Sequence, residues 1–240
     1  LGSAWLYLLI PGTLVILYLL GFRSGFFSVS IAVVAAAFVF LIRHRLVPTI
    51  IAGALALAVL SAPLVTGILT PEKFLNYTNP PTKSVMHRLY IWKFSADRIY
   101  QHPIKGWGMN SSRVMPGGKD LPQDSIYGSY REFLPLHPHN ATLQIWLELG
   151  LVGAVLLAAM VLTIVVIIFR RARNRVDKAM MTGLLITGLG VMNLSYSIWS
   201  SWWSGLIWVA AAITGMIATS NAGNQTHSNP SEFTKDYANI

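Results

Sequence analysis

The sequence predicts an all-α protein embedded in a membrane: a polytopic helix bundle with about six transmembrane helices and one large loop. Hydrophobic residues make up 54% of the 240-residue chain and charged residues only 11%, whereas soluble domains contain about 25% charged residues. Six apolar runs are long enough to cross a hydrocarbon core of about 30 Å. Because lipid cannot hydrogen-bond to an exposed backbone, we expect each run to form a helix.

The six runs divide the chain into four predicted regions. They cover approximately residues 4–20, 26–42, 48–69, 141–169, 179–198 and 202–218. The predicted regions are three transmembrane helices in 1–69, a loop with an amphipathic helix in 70–139, three transmembrane helices in 140–220 and a disordered cytoplasmic tail in 221–240. The tail is rich in Asn, Ser and Thr, which do not supply an apolar core.

The basic residues indicate an orientation. The net charge is +9, but six of the 18 basic residues lie in two clusters that adjoin apolar runs: Arg43, Arg45, Arg170, Arg171, Arg173 and Arg175. The positive-inside rule makes both clusters cytoplasmic, so that the 70–139 loop lies on the opposite side. This explanation of the charge argues against nucleic acid as a partner. The chain has no cysteine, which excludes disulfides and thiolate metal sites.

The long loop contains an amphipathic pattern and a basic residue beside it. Apolar residues at spacings of three and four predict a helix over about 84–101 that lies along the membrane surface or caps the bundle; they are Val85, Leu89, Trp92, Ala96 and Ile99. Arg88 flanks this stripe, and a planar guanidinium suits a diphosphate because it donates two charge-assisted hydrogen bonds. The alternative is an arginine that only extends its charge into water from the interface.

Arg23 is a second candidate anion ligand. It lies between the first two apolar runs, in the short Gly-flanked turn Gly21–Gly25, on the same side as the loop. Charged residues near membrane helices are candidates for function. The alternative for Arg23 is an interfacial anchor.

Two histidines, in the segment His137-Pro138-His139-Asn140, precede the fourth apolar run. A neutral imidazole is a base near pH 7, and the position allows aqueous chemistry beside lipid. For His137, which precedes a proline and should be the more exposed of the two, we favour an ordinary histidine that is either satisfied in the core or faces solvent. A zinc site would need three or four ligands, and only folding could bring His102 or Asp124 to the pair, so we predict no metal.

A polar stripe follows these histidines into the fourth run. Asn140 is placed to cap the helix, and Gln144 and Glu148 follow at steps of four residues, so that all three share one helix face. The helix dipole would favour an anion at this end. Glu148 is the only acidic residue inside the six predicted spans, and it should face the protein interior. A structural hydrogen-bonding role for Glu148 is favoured over a catalytic one.

These motifs resemble those of a known family. His139-Asn140, nine residues and then Gly150-x-x-Gly153 is similar to the signature of the O-antigen ligase and O-antigen polymerase-related superfamily. The turn Phe22-Arg23-Ser24-Gly25 is similar to the Ser-Arg-Gly turn of that superfamily, with Phe22 in place of a small residue. The segment from Arg88 to Gly108 adds a third motif in the same order. The resemblance covers about residues 15–218 and corresponds to the C-terminal half of such proteins.

The resemblance implies a glycosyltransferase of the bacterial inner membrane whose large loop and active site face the periplasm. It would move a glycan from an undecaprenyl diphosphate carrier to lipid A-core, inverting the anomeric centre without metal or cofactor. His139 would be the general base, Arg23 and Arg88 would bind the diphosphate, and His137, Asn140, Gln144 and Glu148 would support the site. One alternative is an O-antigen or exopolysaccharide polymerase, whose acceptor is the growing, carrier-linked polysaccharide. Another is a non-enzymatic transporter or scaffold.

Overall fold

The structure, a computed structural model, describes most of the chain. The described residues are 4–75, 81–121, 132–172, 174–195, 197–201, 204–205, 208–209 and 212. The chain divides into two compact units, of which the first ends at Ile198 and the second begins at Trp199. Within the second unit, Ser204 N donates a helical hydrogen bond to Ser200 O at 3.0 Å. The predicted sixth span and the C-terminal tail lie almost wholly outside the described residues.

The described part of the chain is helical and contains no strand. Its helices are α1 (Ala4–Leu19), α2 (Arg23–Leu41), α3 (Val47–Ile68), α4 (Glu72–Leu75), α5 (Lys83–Gln101), α6 (Ala141–Arg171) and α7 (Arg175–Leu194). A short 3₁₀ turn, Ser111–Val114, lies between α5 and α6. The predicted all-α class is confirmed for these residues, and the amphipathic helix begins at Lys83, one residue before the predicted position.

Three described helices are long and apolar enough to cross a membrane: α2, α3 and α6. Each corresponds to a predicted span. In the region of the first predicted span, Leu9–Leu19 forms a shorter apolar helix. The predicted fifth span corresponds to α7, which begins four residues earlier than predicted and ends at Leu194. The count of six spans remains a prediction.

Small residues bring α2 and α7 into close contact. A Cβ added to Gly190 of α7 would lie 2.7 Å from Ser28 Oγ of α2, and one added to Gly183 would lie 3.4 Å from Ala36 Cβ. Small residues allow membrane helices to approach closely, so that their backbones make extensive van der Waals contact. This pairing fixes the C-terminal end of α7 near the N-terminus of α2.

Two clusters of buried side chains define the two ends of the first unit. One cluster joins the turn between α2 and α3 to the turn between α6 and α7, through Val39, Val47, Val165 and Ala179. The other joins α3 and α5 to the first half of α6, with Val59, Ile91, Ile99, Leu143, Trp146 and Leu147 at its centre. The basic turns therefore share one end of the unit, and the loop packs at the other end. The side of the membrane that each end faces stays a prediction.

The long helix α6 is broken at Gly150. Its φ of 63° and ψ of −155° belong to a region that essentially only glycine adopts. A segment of the loop inserts here: Trp107 N donates to Leu147 O at 2.9 Å, and Leu151 N donates to Pro103 O at 2.8 Å. These bonds replace the helical bond that would otherwise join Leu151 N to Leu147 O.

Both sides of this junction need a glycine. A Cβ at Gly150 would overlap the carbonyl oxygen of Ile104, and a Cβ at Gly106 would overlap the backbone of Glu148. Two further bonds, from Gly108 N to Glu148 O at 2.9 Å and from Val152 N to Ile104 O at 3.4 Å, complete the exchange. The predicted run 141–169 is therefore one element in sequence but two helical segments in space.

Candidate active site

The segment that carries the two histidines is held between α5, α6 and α7. Trp92 of α5 donates its Nε1–H to Pro138 O at 3.0 Å. Asn140 caps α6 as predicted, because its Oδ1 accepts from Leu143 N at 2.9 Å. Asn193 of α7 accepts from Thr142 N at 3.1 Å. Two backbone N–H groups at the start of α6 thus already have acceptors. Fewer N–H groups therefore remain at this helix end to bind the anion that the helix dipole would favour.

His139 has one ring nitrogen fixed by the protein. Its Nδ1 lies 2.9 Å from the carbonyl oxygen of Ser195, just beyond α7. A carbonyl can only accept, so Nδ1 must carry the proton. In the neutral imidazole the other nitrogen, Nε2, is then an acceptor with a free lone pair. This tautomer is the one that a general base requires at Nε2.

His137 has the opposite tautomer. The backbone N–H of His139 donates to His137 Nδ1 at 3.2 Å, so Nδ1 is unprotonated and the neutral ring carries its proton on Nε2. The two rings lie 4.3 Å apart between centroids. His139 itself adopts a positive φ of 52°, which is uncommon for a residue other than glycine. His137 is half-buried.

Both imidazoles have a lowered pKa. Burial lowers the pKa of His137 to about 4, and the neighbouring His139 and Arg113 contribute to the shift. Burial also lowers the pKa of His139; the hydrogen bond to Ser195 opposes this effect, and Arg88 and His87 add to it. At neutral pH both rings are therefore uncharged. They present one acceptor nitrogen and one N–H donor.

Arg88 is half-buried on α5, and its charge acts on His139. Burial lowers the pKa of its guanidinium, which nevertheless stays protonated at neutral pH. Arg88 has neither a hydrogen-bond acceptor nor an acidic partner among the described residues. A partly desolvated cation in this condition gains from binding an anion.

Arg23 is exposed at the first position of α2, and it too has no acidic partner in the described part of the chain. A hydrogen bond connects this end of α2 to the histidine: the Ser195 hydroxyl donates to Ser24 Oγ at 2.7 Å. Ser195 thus holds His139 through its carbonyl and α2 through its side chain. The structure brings His137, His139 and Arg88 together and links Arg23 to them through Ser24.

Gln144 and Glu148 lie deeper in the protein and hold the loop. Glu148 is fully buried; it accepts from Asn110 N at 2.8 Å, from the Ser112 hydroxyl and from Gln144 Nε2 at 3.1 Å. Gln144 Oε1 in turn accepts from Ile198 N at 3.1 Å. The interior position predicted for Glu148 is confirmed. These contacts make it a structural acceptor for the loop that begins at Gly106.

His102 and Arg113 lie in the same loop but differ in their surroundings. The His102 ring packs edge-on against Trp107, with centroids 4.3 Å apart. Arg113 is exposed, and its Nε donates to Asn110 Oδ1 at 3.1 Å. Among the described residues, no three His, Cys, Asp or Glu side chains come together as metal ligands. Asp124 lies outside the described residues.

The sequence prediction missed the two residues at the end of α7 that position the site. Ser195 acts through its backbone carbonyl, which no sequence pattern reveals. Asn193 does have a signal: an amide inside an otherwise apolar run is costly unless it has partners, and it lies on the run predicted as the fifth span. The loop residues Asn110 and Ser112 are ordinary polar residues in sequence, and only the buried Glu148 indicates that they have a specific partner.

The fold and the site define a helical membrane protein. Two neutral histidines lie at the start of a long helix, close to an arginine that has no acidic partner in the part of the chain that the structure describes. The chain belongs to the O-antigen ligase family, because the model of that family matches residues 7–158. The resemblance noted in the sequence is thereby confirmed. No solved structure gives a significant match.

Several curated relatives are provisionally named polysaccharide ligases. One from Rickettsia conorii (strain ATCC VR-613 / Malish 7) is 40% identical over 139 residues, which are 58% of this chain and 32% of that protein. One from Rickettsia prowazekii (strain Madrid E) is 34% identical over 212 residues, 82% of this chain and 49% of that protein. One from Rickettsia bellii (strain RML369-C) is 35% identical over 152 residues, 61% of this chain and 36% of that protein. The chain thus spans half or less of the length of these relatives.

Proposed function

We propose that this protein is a glycosyltransferase of the bacterial inner membrane that acts as an O-antigen ligase. It transfers a glycan from an undecaprenyl diphosphate carrier to a hydroxyl of lipid A-core at the periplasmic face. Membership of the O-antigen ligase family supports the class of reaction. The relatives' provisional names support a polysaccharide substrate.

The observation that carries this proposal is the tautomer of His139 beside Arg88. The Ser195 carbonyl fixes the proton on Nδ1, and the lowered pKa keeps Nε2 unprotonated at neutral pH. A general base must be neutral before it can accept a proton. Arg88 supplies a positive charge next to that base, without an acidic partner in the described residues that would neutralise it.

The proposed transfer is a direct displacement. The acceptor oxygen attacks the anomeric carbon of the carrier-linked glycan, and a new carbon–oxygen bond forms. The bond between that carbon and the diphosphate oxygen breaks, and its electron pair leaves with the carrier diphosphate. The acceptor proton passes to His139 Nε2. Attack from the side opposite the diphosphate inverts the anomeric centre.

Two arginines suit the leaving group. The negative charge on the departing diphosphate increases in the transition state, so a fixed guanidinium stabilises the transition state more than the ground state. Arg88 is half-buried and lies close enough for its charge to act on His139. We assign the diphosphate to Arg88 and to Arg23, which Ser24 and Ser195 connect to the histidine.

The break in α6 is consistent with a site at the membrane surface. The 21 residues after Gly150 would measure about 31 Å at 1.5 Å per residue, which is close to the thickness of the hydrocarbon core. The residues before the break, from Ala141 to Glu148, are all buried by protein. In this arrangement His139 lies outside the hydrocarbon, where a polar glycan can reach it while its lipid carrier stays in the bilayer.

A reconstituted transfer assay tests the proposal. The natural protein in lipid nanodiscs receives a carrier-linked glycan and, in separate reactions, lipid A-core or a second carrier-linked glycan as acceptor. We expect product on lipid A-core, no growth of the carrier-linked glycan and no product from His139→Ala. Chain growth without lipid A-core would instead identify a polymerase. Product from neither acceptor would contradict an enzymatic function of this site.

A further inference from the structure

The opposite tautomers of the two histidines form a pattern that a substrate can match. The His139 ring presents an acceptor at Nε2, because its Nδ1 donates to Ser195 O. The His137 ring presents a donor at Nε2, because its Nδ1 accepts from His139 N. The ring centroids are only 4.3 Å apart, so the two rings are close enough for one sugar to contact both.

Hydroxyl groups match this pattern, and a diphosphate does not. A hydroxyl can donate its proton and accept a hydrogen bond at the same time. Two neighbouring hydroxyls on a sugar ring can divide these roles between them. An ionised diphosphate oxygen only accepts, so it could use the His137 N–H but would meet the lone pair of His139 unfavourably.

We propose that His137 is an acceptor-binding residue, which donates its Nε2–H to the sugar hydroxyls from which His139 removes a proton. This inference rests on the proposed function and adds to it a residue that recognises the acceptor. The tether from His139 N to His137 Nδ1 orients the ring, so that the N–H donor is already in place before the acceptor arrives. The lowered pKa of His137 keeps this donor neutral near pH 7.

The protein holds both histidine rings in place before the acceptor binds. The Trp92 indole fixes Pro138, which separates the two histidines, by a 3.0 Å hydrogen bond to its carbonyl. Pro138 is itself buried. Because both rings are held before binding, the acceptor does not have to order them, and less of its binding energy is lost.

Two substitutions at position 137 separate substrate binding from a structural role. Asparagine places its Oδ1 near the position of Nδ1, where it can still accept from His139 N, but it has no group at the position of Nε2. Glutamine places an N–H near the position of Nε2 and has no acceptor for His139 N. We expect His137→Asn to raise the acceptor Kd and KM about tenfold, the usual effect of one lost hydrogen bond. For His137→Gln we expect the acceptor Kd and KM to stay within about threefold of the natural protein. The KM for the carrier-linked glycan should be unchanged in both variants.

The experiment measures acceptor binding directly as well as turnover. Proteins in nanodiscs are titrated with lipid A-core and, separately, with a carrier-linked glycan, and the transfer rates are then determined. His102→Asn is the matched control, because His102 packs on Trp107 elsewhere in the loop; its acceptor affinity should not change. Thermal unfolding of each variant reports on folding.

The outcomes separate this inference from the proposed function. Normal acceptor affinity in His137→Asn, with a loss in His137→Gln, would show that His137 only supports the backbone and would overturn the inference. If neither acceptor binds the natural protein, the inference is also overturned. If an acceptor binds with the expected pattern but no transfer occurs, the inference stands as a binding site, and the transferase proposal fails.

Discussion

Replacing Gly150 by alanine should destabilise the protein because two backbones meet at this residue. A non-glycine residue at φ 63° and ψ −155° costs about 1–3 kcal/mol of conformational strain. The added Cβ would also overlap Ile104 O and push the loop away from α6. Four backbone hydrogen bonds join these segments, each with a net value of about 0.5–1.5 kcal/mol. If all four bonds are lost, we therefore expect the free energy of unfolding to fall by about 3–9 kcal/mol.

The matched control for this substitution is Gly53→Ala in α3. A Cβ at Gly53 has no atom within 4 Å, and alanine is the better helix former by about 1 kcal/mol. Unfolding by SDS in mixed micelles, followed by circular dichroism, measures both variants against the natural protein. We expect Gly53→Ala to be neutral or slightly stabilising. If the two alanine variants unfold at the same SDS fraction, the close contact at Gly150 is refuted.

Three further predictions concern the site. Arg88→Lys should lower kcat/KM for transfer at least about tenfold, since an ammonium cannot form the bidentate contact; retained kcat/KM would indicate that Arg88 is only an interfacial side chain. The acid limb of kcat/KM should have an apparent pKa below 6.5, because burial lowers the pKa of His139 and acid removes the neutral base; a limb above 6.5 would contradict this. Glu148→Ala should lower the free energy of unfolding by at least about 2 kcal/mol, because Asn110 N and Ser112 Oγ would lose their acceptor, whereas Glu148→Gln should have a smaller effect. An unchanged SDS midpoint for Glu148→Ala would show that these hydrogen bonds do not hold the loop on α6.

The helices could be predicted from the sequence because the apolar runs and their ends are local signals. The starts of α3 and α5 agree with the predicted positions to within one residue. Asn140 caps α6, because a capping residue just before an apolar run marks the start of a helix. Glu148 is fully buried, because an ionisable residue inside such a run is costly unless it faces the protein interior. The pairing of Arg88 with His139 comes from the family resemblance, and in the structure the charge of Arg88 acts on His139.

The break at Gly150 could not be predicted from the sequence. A glycine costs a helix only about 1 kcal/mol, and its neighbours in the sequence, Leu149 and Leu151, are ordinary apolar residues of the run. The break depends on a loop more than 40 residues earlier, whose Gly106 allows it to approach the helix backbone. Similarly, the tautomer of His139 depends on Ser195 O, a backbone atom 56 residues away in sequence.

The most direct test of the central claim, that His139 is the general base, is the rate of transfer by His139→Asn. Asparagine tolerates the positive φ at this position, and its amide can still donate to Ser195 O, but it has no base at the position of Nε2. Single-turnover transfer from the carrier to lipid A-core should slow by about 10²–10⁴-fold, with carrier binding and thermal unfolding unchanged. A rate within threefold of the natural protein would contradict the claim.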